Sequence, residues 1–86
     1  MSPQGARVEA EIEVEAPYET VKVLSMSIQP EVDSSISERS KVILSHTGGS
    51  IRIKVIADDT AALRAAINSY LRWVQAIIDI KERISP

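Results

Sequence analysis

The sequence predicts an α+β fold, β-α-β-β-α in chain order. It is a three-stranded antiparallel sheet of strand order 1-3-2, covered on one face by two helices. Three observations carry this reading. Residues 7–15 alternate strictly between apolar and charged side chains. Two further alternating runs flank a glycine pair at Gly48-Gly49. Between and after them, apolar residues recur at helical spacing.

The first strand is Arg7 to Glu15. Val8, Ala10, Ile12 and Val14 fall on one face, and Glu9, Glu11, Glu13 and Glu15 on the other. Pro17 suits the first position of a helix, where its missing N–H is not needed. Tyr18, Val21, Leu24 and Ile28 follow at helical spacing, and Pro30 is expected to end that helix after about 12 residues. Glu31 to Ser35 reads as a polar loop. The second strand runs from about Ile36 to Ser45, with Val42 and Leu44 inward and Arg39, Lys41 and Ile43 outward. Thr47-Gly48-Gly49-Ser50 is expected to be a hairpin turn whose glycines accept positive φ. The third strand, Ser50 to Ala57, turns Ile51, Ile53, Val55 and Ala57 inward and Arg52, Lys54 and Ile56 outward.

Asp58, Asp59 and Thr60 supply cap oxygens for the second helix, Thr60 to Ile84, and Lys81 and Arg83 complement its C-terminal dipole. That helix should be about 36 Å long, against roughly 27 Å for an eight-residue strand, so it should overhang the sheet. It carries two apolar stripes. One is Leu63, Ile67, Tyr70, Leu71, Val74 and Ile78; the other is Ala62, Ala66, Trp73, Ile77, Ile80 and Ile84. A helix lying on a sheet needs one such face. The second implies a partner.

Strand order 1-3-2 follows from charge. It sets the glutamates of the first strand beside Arg52 and Lys54 of the third, and opposite charges across strands contribute roughly 0.2–1 kcal/mol per pair. A right-handed β-α-β crossover that leaves room for the third strand gives the same order. The first and second strands are then both edges, and pairing with a second copy would hide one of them.

With 86 residues the chain forms one domain, residues 7–84 after a short polar tail of residues 1–6. Its core is modest, lacks phenylalanine and has no cysteine to staple it or to bind a soft metal. The net charge of −2 speaks against a basic nucleic-acid domain. No apolar run reaches the length of a membrane span, the N-terminus lacks the order of a signal peptide, and the expected location is cytoplasmic.

Candidate reaction centres are weak. His46 is the sole histidine and adjoins the hairpin, the usual place of a solvated turn residue. Asp58 and Asp59 could hold magnesium or act as a base, but their place at a strand-helix junction fits capping. Glu9, Glu11, Glu13 and Glu15 form a flat row rather than a cleft. Gly48-Gly49 joins two strands and is no phosphate loop. No cofactor is expected. Arg39, Lys41, Arg52 and Lys54 could form a basic sheet face able to meet RNA phosphates, although internal pairing with the glutamates competes for them. Without aromatic residues on those strands, base stacking is disfavoured. Arg64 and Arg72 could reach a partner's carboxylates or RNA, Asn68 and Ser69 could fix register at an interface, and Trp73 suits either core or interface.

From the third strand onward the chain resembles the Pcc1 family, the small dimerising subunit of the KEOPS complex. The resemblance lies in Ile53-Lys54-Val55-Ile56-Ala57-Asp58-Asp59 followed by Leu63-Arg64-Ala65-Ala66-Ile67-Asn68-Ser69-Tyr70-Leu71, with Arg39-Ser40 and Pro17-Tyr18-Glu19 agreeing. It spans residues 7–84; family members often carry phenylalanine at the place of Tyr70. The resemblance implies a homodimer with a joined sheet, non-catalytic, whose helices dock onto the Kae1 subunit. Bud32 and Cgi121 join through the complex, which makes threonylcarbamoyladenosine at tRNA position 37. It makes Leu63, Ile67, Asn68, Leu71 and Trp73 candidate partner contacts. Arg39, Lys41, Arg52, Lys54, Arg64 and Arg72 are candidate tRNA contacts. An independent RNA-binding module using the basic sheet face is the alternative.

Overall fold

A computed structural model describes residues 7–34 and 40–84. Its elements are β1 (Val8–Glu15), α1 (Tyr18–Ser34), β2 (Ser40–His46), β3 (Ser50–Ala57) and α2 (Thr60–Ile84). The sheet is antiparallel in the order β1-β3-β2, as the charge pattern requires. The inward alternation of β3 is complete: Ile51, Ile53 and Val55 are wholly buried, as is Ala57. On the flanking strands Ile12, Val14, Val42 and Leu44 are half-buried against the same core. Val21, Leu24 and Ile28 of α1 and Tyr70, Val74 and Ile77 of α2 close it from one side. The helices lie side by side, α1 over β2 and β3 and α2 over β1 and β3.

The structure corrects the first helix. Pro30 lies inside α1, which continues through Glu31 to Ser34 where the sequence suggested a loop. A proline in a helix deprives the carbonyl four residues back of its donor. Here that carbonyl belongs to Met26, on the solvent side of α1, where water can replace the bond. The added turn packs Val32 against the core, and Gln29 Nε2 donates to Asp33 Oδ1 at 2.7 Å. Pro17 stands one residue earlier than expected. Its carbonyl accepts from the N–H groups of Thr20 and Val21 at 2.9 and 3.0 Å, so it is the N-cap. Tyr18, read with the core positions, is exposed.

The expected Ile36 to Arg39 part of the second strand lies outside the described residues, and the strand starts at Ser40. The hairpin turn is present, but neither glycine has the positive φ expected of it. Thr47 holds the turn instead. Its N–H donates to the Ser50 carbonyl at 2.8 Å, its Oγ1 accepts from the Gly49 N–H at 3.3 Å, and it lies 3.1 Å from Ser50 Oγ.

The two stripes of α2 are also redrawn. The buried arc is Tyr70, Val74 and Ile77, flanked by half-buried Leu63, Ala66, Ile67 and Ile78. Ile77 therefore belongs to the core, and Leu71 does not. Ile80, further along the helix, is 57% exposed.

Candidate functional site

The largest exposed apolar residues of the helical layer are Leu71, Trp73 and Ile80 of α2 and Tyr18, Val23 and Met26 of α1. Their placement on α2 follows from where the helix is anchored. Asp59 caps it: its Oδ1 accepts the Ala62 N–H at 2.8 Å, and its carbonyl accepts the Leu63 N–H at 3.0 Å. With rotation so fixed, the inner arc faces the sheet and the two edges of the stripe emerge on opposite flanks. At 100° per residue, Leu71 and Trp73 point about 160° apart around the axis.

The flank toward α1 carries Trp73, 41% exposed, and Ile80 two turns later. Trp73 joins Ser69, Arg72 and Ala76 with Glu31 of α1 in lining a shallow, open depression between the helices. The other flank carries Leu71, 46% exposed, beside half-buried Ile67 and Ile78 over β1. The sequence-predicted contacts thus divide. Leu63 and Ile67 largely serve this chain's own core, Asn68 and Leu71 are exposed away from α1, and Trp73 is exposed toward it. Sequence reasoning missed that Glu31 and Ala76 share the Trp73 surface. Only the helical continuation past Pro30 brings Glu31 there.

The basic candidates are split in the same way. Lys41, Arg52 and Lys54 lie on the open face of the sheet, Arg64 and Arg72 are exposed on α2, and Arg39 is outside the described residues. Arg52 Nη2 donates to Glu13 Oε1 at 3.0 Å and its Nε lies 3.7 Å from Glu11; Lys54 Nζ lies 3.6 Å from Glu9. The hydrogen bond to Glu13 and the charges of Glu13 and Glu11 raise the guanidinium's pKa still further above neutrality. The two central cations of the sheet face are therefore occupied by the glutamate row. Among the described residues, Lys41, Arg64 and Arg72 form no ion pair.

The acidic candidates have structural partners. Asp59 caps α2, and Asp58 lies 3.9 Å from Arg7. His46 is exposed at the end of β2. Among the described residues no group of three or more histidine, aspartate or glutamate side chains converges as a metal site would. Among the described residues, no helix is long and apolar enough to cross a membrane.

This arrangement leaves apolar and basic surfaces exposed on α2 and the sheet face. The family model described as "Transcription factor Pcc1" matches residues 7–82. The chain is similar to the KEOPS complex subunit Pcc1 of Pyrococcus abyssi (strain GE5 / Orsay). The two are 35% identical over 75 residues, which cover 86% of this chain and 92% of that protein. On the family model and the sequence identity, the chain belongs to the Pcc1 family of non-catalytic accessory subunits.

Proposed function

We propose that this chain is the dimerising, scaffolding subunit of a KEOPS-type complex and supports threonylcarbamoyladenosine formation at tRNA position 37. The observation that carries the reading is the helical layer. Leu71, Trp73 and Ile80 stay in water on a helix whose buried arc is already complete. Large apolar residues exposed on both flanks of one helix suit a helical partner inserted beside it. In the family that partner is the Kae1 subunit, and Bud32 and Cgi121 would join through the assembly. The Trp73–Ile80 flank is the docking surface we favour, because Trp73 stands beside polar groups that can form a rim: Glu31, Ser69 and Arg72.

Contact with tRNA is a smaller part of the proposal. Lys41, Arg64 and Arg72 are the cations best able to meet phosphates, since Arg52 and Lys54 are engaged by glutamates. Their spread over two faces favours holding tRNA as one part of the complex over binding it independently.

Co-purification with the Kae1 subunit tests the docking surface. Trp73→Asp and Ile80→Asp should abolish capture while the chain stays folded, because both side chains are exposed. Undiminished capture by both variants would remove this surface from the proposal. Titrating tRNA against the isolated chain tests the alternative. Sub-micromolar, salt-sensitive binding without partners would favour the independent RNA-binding module.

A further inference from the structure

β1 is an open edge of the sheet, and its backbone and its two faces together specify the kind of strand that fits beside it. In an antiparallel ladder, successive residues point their N–H and C=O groups alternately toward the neighbouring strand and away from it. The Ala16 N–H donates to the Gly49 carbonyl, so by register Val8, Ala10, Ile12 and Val14 bond to β3. The N–H and C=O groups of Glu9, Glu11, Glu13 and Glu15 therefore point outward, where β1 has no neighbouring strand. Such a row of backbone groups is a template for an added strand.

The two faces of this edge make different demands. On the open face, Glu9, Glu11 and Glu13 share Arg52 and Lys54, and each stays about half exposed. Glu15 forms no ion pair among the described residues. Four carboxylates against two cations leave this strip at −2. On the helical face, Val8, Ala10, Ile12 and Val14 are only half-buried. Above them the outer flank of α2 shows Leu71, 46% exposed, beside half-buried Ile67 and Ile78. Residues of an added strand alternate between the same two faces. Those opposite the glutamates must be cationic, and those between them apolar. β3 already meets β1 from its other side with this alternation, Ile51-Arg52-Ile53-Lys54-Val55.

We propose that β1 accepts, by strand addition, an extended segment of another protein in which lysine or arginine alternates with β-branched aliphatic residues. Its cations meet Glu9, Glu11, Glu13 and Glu15 on the open face. Its aliphatic side chains cover β1 and Leu71 on the helical face. This goes beyond the scaffolding role and uses neither Trp73 nor Ile80, which lie on the α1 side of α2. Other occupants meet a charge conflict. The β1 of a second copy would set glutamate opposite glutamate in every antiparallel register that satisfies the backbone, and like charges directly opposite destabilise a sheet. A nucleic acid would bring phosphates to a negative strip. The charges that repel an acidic strand therefore select a basic one.

The test titrates the full-length chain with a synthetic peptide the length of β1 that alternates valine with lysine and arginine. Amide hydrogen exchange read by NMR locates it. Exchange at Glu9, Glu11, Glu13 and Glu15 should slow by about tenfold or more as their outward N–H groups gain acceptors, while Ala10, Ile12 and Val14, already bonded to β3, change little. The same peptide, N-methylated at the backbone groups that face β1, keeps its charges and should bind about tenfold more weakly. Glu11→Gln should weaken binding by about two- to fivefold. Leu71→Ser should weaken it too, and Trp73→Asp should bind as the wild type does. No saturable binding, equal binding of the N-methylated peptide, or protection that misses the glutamate amides overturns the proposal and leaves the docking role of α2 standing. Loss of the peptide in Trp73→Asp would put it on the α1 side of α2 and overturns the proposal as well.

Discussion

Replacing Asp59 separates a structural carboxylate from a chemical one. Asp59 Oδ1 accepts the Ala62 N–H at 2.8 Å at the start of α2. Removing an N-cap side chain costs about 0.5–2 kcal/mol. Loss of a negative charge at the helix N-terminus adds about 0.3–1 kcal/mol. Asp59→Ala should therefore destabilise by about 1–3 kcal/mol. Each kcal/mol lowers Tm by about 4–8 °C in a chain of this size. Asp59→Asn keeps the cap oxygen and should recover most of the loss. Asp58→Ala removes only an exposed contact 3.9 Å from Arg7 and should stay within about 0.5 kcal/mol of wild type. Thermal melts followed by circular dichroism measure all three. Equal destabilisation by Asp58→Ala and Asp59→Ala, or a neutral Asp59→Ala, would refute the assignment of Asp59 as the cap.

Three further substitutions test local features of the fold by the same melts. Pro30→Ala restores a donor for the Met26 carbonyl and should stabilise the chain by about 1–3 kcal/mol; a lower Tm would mean that the proline shapes the last turn of α1. Gly48→Ala should be neutral or stabilising by up to about 1 kcal/mol, since a Cβ there meets nothing within 4 Å and φ is not in the left-handed region. A clear loss would show that the turn needs glycine after all. Arg52→Ala breaks the exposed pairs with Glu11 and Glu13 and should cost no more than about 1 kcal/mol, a loss that shrinks with added salt. A larger, salt-independent cost would mean that packing rather than charge holds that side chain.

The strands were legible because each fixes its own alternation. Glu9, Glu11 and Glu13 needed cations, Arg52 and Lys54 offered them, and the register delivers Glu11 opposite Lys54 and Glu13 opposite Arg52. The errors arose where a local rule met tertiary gain. Pro30 reads as a stop, yet burying Val32 carries α1 onward. Gly48-Gly49 reads as a positive-φ turn, yet hydrogen bonds from Thr47 suffice without one. On α2 the apolar residues cover more than half the circumference, so residue type could not say which arc meets the sheet. Ile77 went in and Leu71 stayed out because the inner arc is centred near Tyr70 and Val74. The candidate site was legible as an excess of apolar surface, but its division into two flanks was not.

The central claim is that water-exposed apolar residues on α2 are a seat for another subunit. Light scattering behind a sizing column tests it on the chain alone, then mixed with the Kae1 subunit, in wild-type and Trp73→Asp forms. The account predicts twice the single-chain mass alone, a heavier co-eluting species on mixing, and loss of that species, but not of the doubled mass, in the variant. A mixed species indifferent to Trp73→Asp would contradict it, and a single-chain mass at all concentrations would contradict the dimeric reading.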